Sequence, residues 1–233
     1  MKTLDEFFYS QENKISEEIY TDGALINPNF YPLKYIICNG SILFVDLPNY
    51  SSFCEKNQEN FNEIIQYLNR FFAWIEAERK FEGIVDKYIG DEILLIFPED
   101  IYKDHLQSAL SAAKLIIDND FHNYSPKIGI ASGKFALCEI GTIRKNNVTV
   151  VGHTVNLAAR FVQNAMGNSI KVATTEMQLV KSIFNNENDW NIEKTQESFK
   201  NIYNVDIINL YWKVIRITRT VYDKDNSYNM PDQ

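Results

Sequence analysis

Asp46 and Asp91 are the residues whose type and placement most suggest chemistry. Asp46 closes the apolar run "ILFVD", and Asp91 lies in the turn of "GIVDKYIGDEILLIF", residues 83 to 97, which otherwise reads as the core of a β-hairpin. Charged groups in such places are costly unless something pairs with them. Two carboxylates brought together repel unless one is protonated or a cation lies between them. Hard divalent ions such as magnesium are held by one or two carboxylates plus substrate phosphates, so a shared metal site is one reading. The plainer reading has Asp46 capping a turn with "PNYSS" and Asp91 occupying a hairpin bend, where Asp is common. Lys87, in the same hairpin, either meets an anion or extends its head into water while its stem packs. Asn156 and Arg160 are four apart near a helix start, so they share one face and can reach a single ligand, with backbone amides helping to hold an anion. An exposed polar pair is the alternative there.

The elements that must position these residues are partly legible. Leu4, Phe7, Phe8, Ile15 and Ile19 recur at roughly helical spacing over 4 to 20, and "DGALINPNFYP" then reads as a loop. Residues 34 to 47 read as two β-rich runs split by a tight turn at Asn39-Gly40. The spacing of Phe61, Ile64, Ile65, Leu68, Phe72 and Ile75 predicts a long amphipathic helix over 57 to 79. Two short strands follow around Gly90, and Asp104 is placed to cap a helix running to 118. "KIGIASGKFALCEIG", 127 to 141, reads as a strand pair turning at Ser132-Gly133. A β-type segment then crosses Gly152 into a helix from about Thr154, and the next strand leads to a helix capped by Thr174 or Thr175. Residues 199 to 217 give two more strands before a tail. This order predicts an α+β sandwich with helices on one face of a largely antiparallel sheet.

Composition narrows the function. At 233 residues the chain suits one core. The expected division is a helical prefix and loop over 1–33, a main domain over 34–218 and a tail over 219–233. A net charge of -8 argues against nucleic acid as the main partner, because phosphate-backbone binding needs clustered Lys and Arg. Cys38, Cys54 and Cys138 are scattered without CxxC spacing, so buried free thiols are expected, not a disulfide framework or zinc site. Apolar runs such as "ILLIF" are far too short for a membrane span, and the start carries acids where a signal peptide would be apolar, so a cytoplasmic location is expected.

Five segments in order carry a family resemblance: "FVDLPNYSSF", "VDKYIGDEILLIF", "DHLQSALSAAKL", "IGIASGKFAL" and "VTVVGHTVNLAARF". Together they resemble the catalytic domain of class III nucleotide cyclases from residue 41 to about 180. The resemblance implies a ferredoxin-like palm sandwich that converts a nucleoside triphosphate to a 3′,5′-cyclic nucleotide and pyrophosphate. It implies two divalent ions, Mg2+ or Mn2+, held by Asp46, Asp91 and the backbone carbonyl of Leu47. Lys87 falls on the base-recognising lysine, Thr149 on its partner position and Arg144 on a phosphate-binding arginine. Asn156 and Arg160 fall on the residues that orient the ribose and stabilise the transition state. It also implies a head-to-tail homodimer in which one subunit supplies the metal aspartates and the other supplies Lys87, Thr149, Asn156 and Arg160.

The departures are informative. Pro48-Asn49 stands where the family has its usual Gly, and Asn tolerates the left-handed backbone that Gly supplies. Tyr50 replaces the usual Phe, His153 the common Asp, and Lys200 is the candidate for the C-terminal phosphate lysine. Short cyclases of this kind resemble the pyrimidine cyclases of bacterial antiphage (Pycsar-type) signalling, whose product is read by a separate effector protein. The added bulk of Tyr50 favours a smaller base, and Lys87 can donate to uracil O4 as readily as to adenine N1; UTP is expected ahead of CTP. The Lys87 and Thr149 combination instead matches an adenylate cyclase acting on ATP. A decayed nucleotide-binding dimerisation module is the non-enzymatic alternative, against which stands the retention of Asp46, Asp91, Asn156 and Arg160.

Overall fold

The central strands have apolar residues at consecutive positions, not alternate ones, and that pattern requires cover on both faces of the sheet. The computed structural model describes residues 3–18, 33–80, 82–142, 145–173, 176–185, 189–200 and 202–213. Its elements are α1 (Leu4–Tyr9), β1 (Ser16–Glu18), β2 (Leu33–Asp46), α2 (Tyr50–Lys56), α3 (Phe61–Glu78), β3 (Ile84–Ile89), β4 (Glu92–Pro98) and α4 (His105–Asp118). The chain continues through β5 (Lys127–Thr142), β6 (Lys145–Val151), α5 (His153–Asn164), β7 (Ser169–Ala173), α6 (Met177–Ile183), β8 (Trp190–Phe199) and β9 (Ile202–Trp212). The strands form a sheet in the order β3-β4-β2-β5-β7-β9-β8, with β1 added to β2 and β6 added to β5. Every pairing is antiparallel except β5 with β7.

On β2, Leu43 and Val45 join one core with residues of α3, α4 and α6, while Ile42 and Phe44 join a second core with residues of α1 and α5. Helices therefore cover both faces, which corrects the one-face expectation. Among the described residues no helix is long and apolar enough to cross a membrane. Cys38 and Cys138 are buried free thiols, and Cys54 is free and half-buried.

Two supposed turns are not turns. β2 runs unbroken through Asn39-Gly40 and β5 through Ser132-Gly133, with Gly40 directly opposite Gly133. A Cβ on Gly40 would lie 2.4 Å from the Phe97 carbonyl oxygen, and Gly133 holds φ at +150°, so these glycines serve close approach and bending within the sheet. The prefix also differs. α1 ends at Tyr9 after a Thr3/Glu6 capping box, and Ile15 reaches the α1–α5 core from the connection to β1, not from a longer helix. α2 follows β2 directly after Asn49, and β8 lies upstream of the two strands expected over 199 to 217. Asp104 stands at the N-cap of α4 without a side-chain cap bond. The caps at Thr174 or Thr175, the 22–32 loop and the tail lie outside the described residues.

The β8–β9 hairpin is tied to β7 by a half-buried polar network. Lys171 Nζ lies 2.6 Å from Glu197 Oε2 and 5.8 Å from the Phe199 ring centroid. Asn209 Nδ2 donates to Glu197 Oε1 at 3.1 Å. Burial alone would push the Glu197 carboxyl up, but bonds from Lys171, Asn209 and Thr195 together with the Lys171 charge outweigh it and hold the group below its ordinary value. A depressed carboxyl stabilises the fold above its unfolded pKa and loses that contribution as pH falls through the folded one. Glu197→Gln should therefore lower the melting temperature at pH 7 by about 4 °C, the shift given by ~1–1.5 kcal/mol in a chain of this size. In melts recorded from pH 7 to pH 3, the gap to wild type should close on acidification; a constant gap would show that the charge is not what stabilises the hairpin.

Candidate active site

Strand alternation decides where Asp46 points. Leu43, Val45 and Leu47 face the α3–α4 side, so Asp46 emerges on the side covered by α5. In register it stands between Glu92 of β4 and Lys127 of β5, and Lys127 Nζ lies 3.0 Å from Asp46 Oδ2. Asp91 follows Gly90 in the two-residue connection from β3 to β4, where Gly90 supplies the positive φ of +63° that a tight hairpin demands. Burial pushes the Asp91 carboxyl up, and the Asp46 charge pushes it further, against its own backbone N–H and Lys127. Glu92 is raised by burial and by both aspartates, again against Lys127. Asp46 is thus paired with Lys127, and its charge bears on Asp91 and Glu92 at the same end of the sheet.

This donor set suits a hard divalent ion, since its oxygens are charged, crowded and under-neutralised. Among the described residues no group of three or more His, Cys, Asp and Glu side chains converges on one point. Two carboxylates with remaining positions left to backbone, water and phosphate is the pattern expected for magnesium-type binding, not a full protein cage. The Leu47 side chain is 1% exposed in the core, so this residue can offer only its backbone. Asn49 adopts φ 66° and ψ 11°, the left-handed conformation that Gly would supply, and leads into α2. The Tyr50 hydroxyl is pushed up to about 12, first by burial and then by Cys54 and Asp91, and the ring packs against the α3–α4 core.

A second group forms around Lys87. β3 carries a bulge between Val85 and Lys87, so Asp86 is the extra residue with no partner on β4. A bulge re-aims its side chains, and here Asp86 and Lys87 both meet Thr149 of β6. Lys87 Nζ donates to Thr149 Oγ1 and lies 3.1 Å from Asp86 Oδ2, while Thr149 Oγ1 donates to Asp86 Oδ2 at 3.1 Å. The Asp86 side chain is fully buried, and its Oδ1 has no hydrogen-bond partner among the described residues. Burial raises its pKa, opposed by Lys87, Thr149 and the Val150 backbone. Asp86 and Lys87 line a cavity of about 580 Å³ that Tyr9 of α1, Glu139 and Asn147 also line. Tyr9 there donates to Glu139 Oε1.

The third group rides on α5. Leu157, Ala158, Phe161 and Val162 bury one side of this helix, which sits so close to β5 that a Cβ on Gly129 would lie 2.4 Å from the Ala158 carbonyl oxygen. Asn156 is exposed and Arg160 half-buried, with Arg160 Nη1 donating to Gln163 Oε1 at 2.9 Å. His153 is the exposed first residue of α5, and Lys200 is exposed just after β8. Arg144 lies outside the described residues.

Residues 37–202 match the model of the adenylate and guanylate cyclase catalytic domain. The chain belongs to that family. The cyclase domain so defined runs from β2 to the start of β9, leaving α1 and β1 outside it. An uncharacterised protein of Mycobacterium tuberculosis is 28% identical over 162 residues, covering 67% of this chain and 30% of that protein. A terminal-differentiation-specific adenylate cyclase of Dictyostelium discoideum is 29% identical over 154 residues, covering 61% of this chain and 7% of that protein. The chain thus spans less than a third of the length of these relatives. Among solved structures, the adenylyl cyclase CyaB from P. aeruginosa superposes with a TM-score of 0.66 at 17% identity, over 77% of this chain and 96% of that one. The guanylyl cyclase Cya2 gives 0.60 at 19% identity, over 77% and 94%. These likenesses show the α+β cyclase fold.

Within the cyclase domain, sequence reading named Asp46, Asp91, Lys87 and Thr149 but gave no role to two charged neighbours. Lys127 pairs with Asp46 across strands 81 residues apart in sequence, and Asp86 joins Lys87 to Thr149. An Asp within an apolar strand, next to a candidate binding lysine, was the available signal for Asp86.

Proposed function

We propose that this chain is a nucleotide cyclase, turning a nucleoside triphosphate into a 3′,5′-cyclic nucleotide and pyrophosphate at sites shared by two copies of the chain. The observation that carries this reading is the placement of Asp46 at the end of β2, opposite Glu92 and paired with Lys127, beside the β3–β4 turn that holds Asp91. Asp46, Asp91 and the Leu47 carbonyl would hold two Mg2+ or Mn2+ ions. When bound, these ions supply charge neutralisation for the triphosphate and acidify the ribose 3′-hydroxyl. Lys127, paired with Asp46, would add a positive charge at the end of the site that takes the triphosphate. Lys87 and Thr149 meet the base. Asn156 orients the ribose, and Arg160, one helical turn on, neutralises charge at the phosphorus and the departing pyrophosphate. Arg144 is assigned a phosphate contact.

A pyrimidine base, UTP before CTP, is the reading that Tyr50, in place of the family's usual Phe, supports. A cyclic pyrimidine nucleotide made by such a domain would act as a signal read by a separate effector, as in antiphage defence. The contact between Lys87 and Thr149 supports a second reading, ATP as substrate.

The test incubates purified protein with ATP, GTP, CTP and UTP separately, with manganese or magnesium, and identifies products by chromatography and mass. A cyclic nucleotide and pyrophosphate in equal amounts are expected. No cyclic product from any of the four, with dimer and metal binding verified, would leave the decayed binding module as the surviving account; preference for ATP would remove the pyrimidine assignment alone.

A further inference from the structure

We propose that Asp86 is a positioning residue that fixes the hydrogen-bonding pattern which Lys87 and Thr149 present to the base, and so sets how sharply the cyclase separates amino from keto bases. The proposal rests on the reading above that Lys87 and Thr149 meet the base. Its geometry comes from the bulge in β3. In a regular strand, neighbours point to opposite faces; as the extra residue, Asp86 reaches the same hydroxyl as Lys87.

The inventory of hydrogens then leaves one arrangement. An ionised carboxylate only accepts, an ammonium only donates its three hydrogens, and a hydroxyl has one hydrogen and two lone pairs. Asp86 Oδ2 is 3.1 Å from both Thr149 Oγ1 and Lys87 Nζ, and Lys87 also reaches Thr149. Thr149 therefore gives its hydrogen to Asp86 and accepts from Lys87. What remains for a ligand is a hydrogen on Lys87 beside a lone pair on Thr149, one donor and one acceptor in fixed order. Adenine and cytosine carry an exocyclic amino donor next to a ring acceptor, and guanine and uracil carry the reverse, so a fixed order distinguishes the two classes. With no carboxylate at position 86, the Thr149 hydroxyl turns freely and serves either class.

The experiment compares kcat/KM for the nucleotide the protein prefers with that for its amino or keto counterpart, ATP against GTP or CTP against UTP. Asp86→Asn, close in size, offers an amide donor to Thr149 and frees its hydrogen. The selectivity ratio should fall about tenfold, the scale of one well-placed base contact, through KM more than kcat, with melting temperature and dimer mass retained. In a Thr149→Val background the same change should leave the ratio where Thr149→Val put it, because Asp86 acts through that hydroxyl. If Asp86→Asn does not fold, Asp86→Ser is carried through the same comparison. An equal loss of kcat on every nucleotide, with the ratio unchanged, would mean that Asp86 only supports the fold and would overturn the proposal. Lys87→Ala separates the two levels: if it leaves the ratio intact, the base-reading assignment falls and this proposal with it. If Lys87→Ala flattens the ratio and Asp86→Asn does not, this proposal alone falls.

Discussion

Asp91→Asn should abolish divalent-metal-dependent turnover and at the same time raise the melting temperature of the metal-free protein. The two effects share one cause. Burial and the Asp46 charge raise the Asp91 carboxyl, so the fold disfavours its ionised form. For a carboxyl raised in the folded state, the stabilisation is present below the unfolded pKa and is lost as pH rises through the folded value. At neutral pH without metal, the wild type carries that cost and the amide does not. A divalent ion reverses the balance by pairing with the charge, and a folded state that binds the ion at a hundred times its Kd gains about 2.7 kcal/mol. Melts with manganese and with chelator should therefore show wild type rising by about 5 °C or more with metal, and the variant not responding. Turnover should drop by more than the ~100-fold that loss of an outer partner of a metal site typically costs. A variant that metal stabilises as much as wild type would place the ion elsewhere.

Mixing two dead variants should restore activity. Arg160→Ala should lower turnover about a thousandfold, the scale of an arginine that neutralises phosphoryl charge, with little change in nucleotide binding. Asp46→Ala should be inactive through the metal end. Arg160 and Asn156 ride on the outer side of α5, away from the sheet that α5 buries. If a second copy of the chain brings its carboxylates to them, a mixed dimer has one site with both defects and one with neither. Equal amounts of the two variants, exchanged to equilibrium, should recover about one quarter of the wild-type rate, since half the dimers are mixed and each has one intact site. No recovery, with exchange confirmed by mass, would mean that each chain completes its own site.

Local features of the site were readable because they depend on local rules. Asp46 follows an apolar run and does end β2; Asp91 follows a glycine and does sit in a hairpin turn; Asn156 and Arg160 are one helical turn apart on α5. Asn49 was expected to tolerate the left-handed backbone, and it adopts it. Spacing along one element is enough for statements of this kind.

Register and the second layer were not readable. Gly40 and Gly133 have the local signature of turns, yet they face each other in the middle of two long strands, because the demand on them is the approach of Phe97 and Thr154 from elsewhere in the chain. Whether α5 and α1 cover a separate face depends on which way consecutive apolar residues point once the sheet has formed. The same holds for the charges. The residue types of Asp46, Asp91, Lys87 and Asp86 were set by sequence, and so was the strand-and-turn context of the hairpin. Only the cross-strand register placed Lys127 on Asp46, and only the bulge turned Asp86 toward Thr149, 63 residues away. A one-residue shift in either would send these side chains to the opposite face, and that choice is made by packing over the whole sheet.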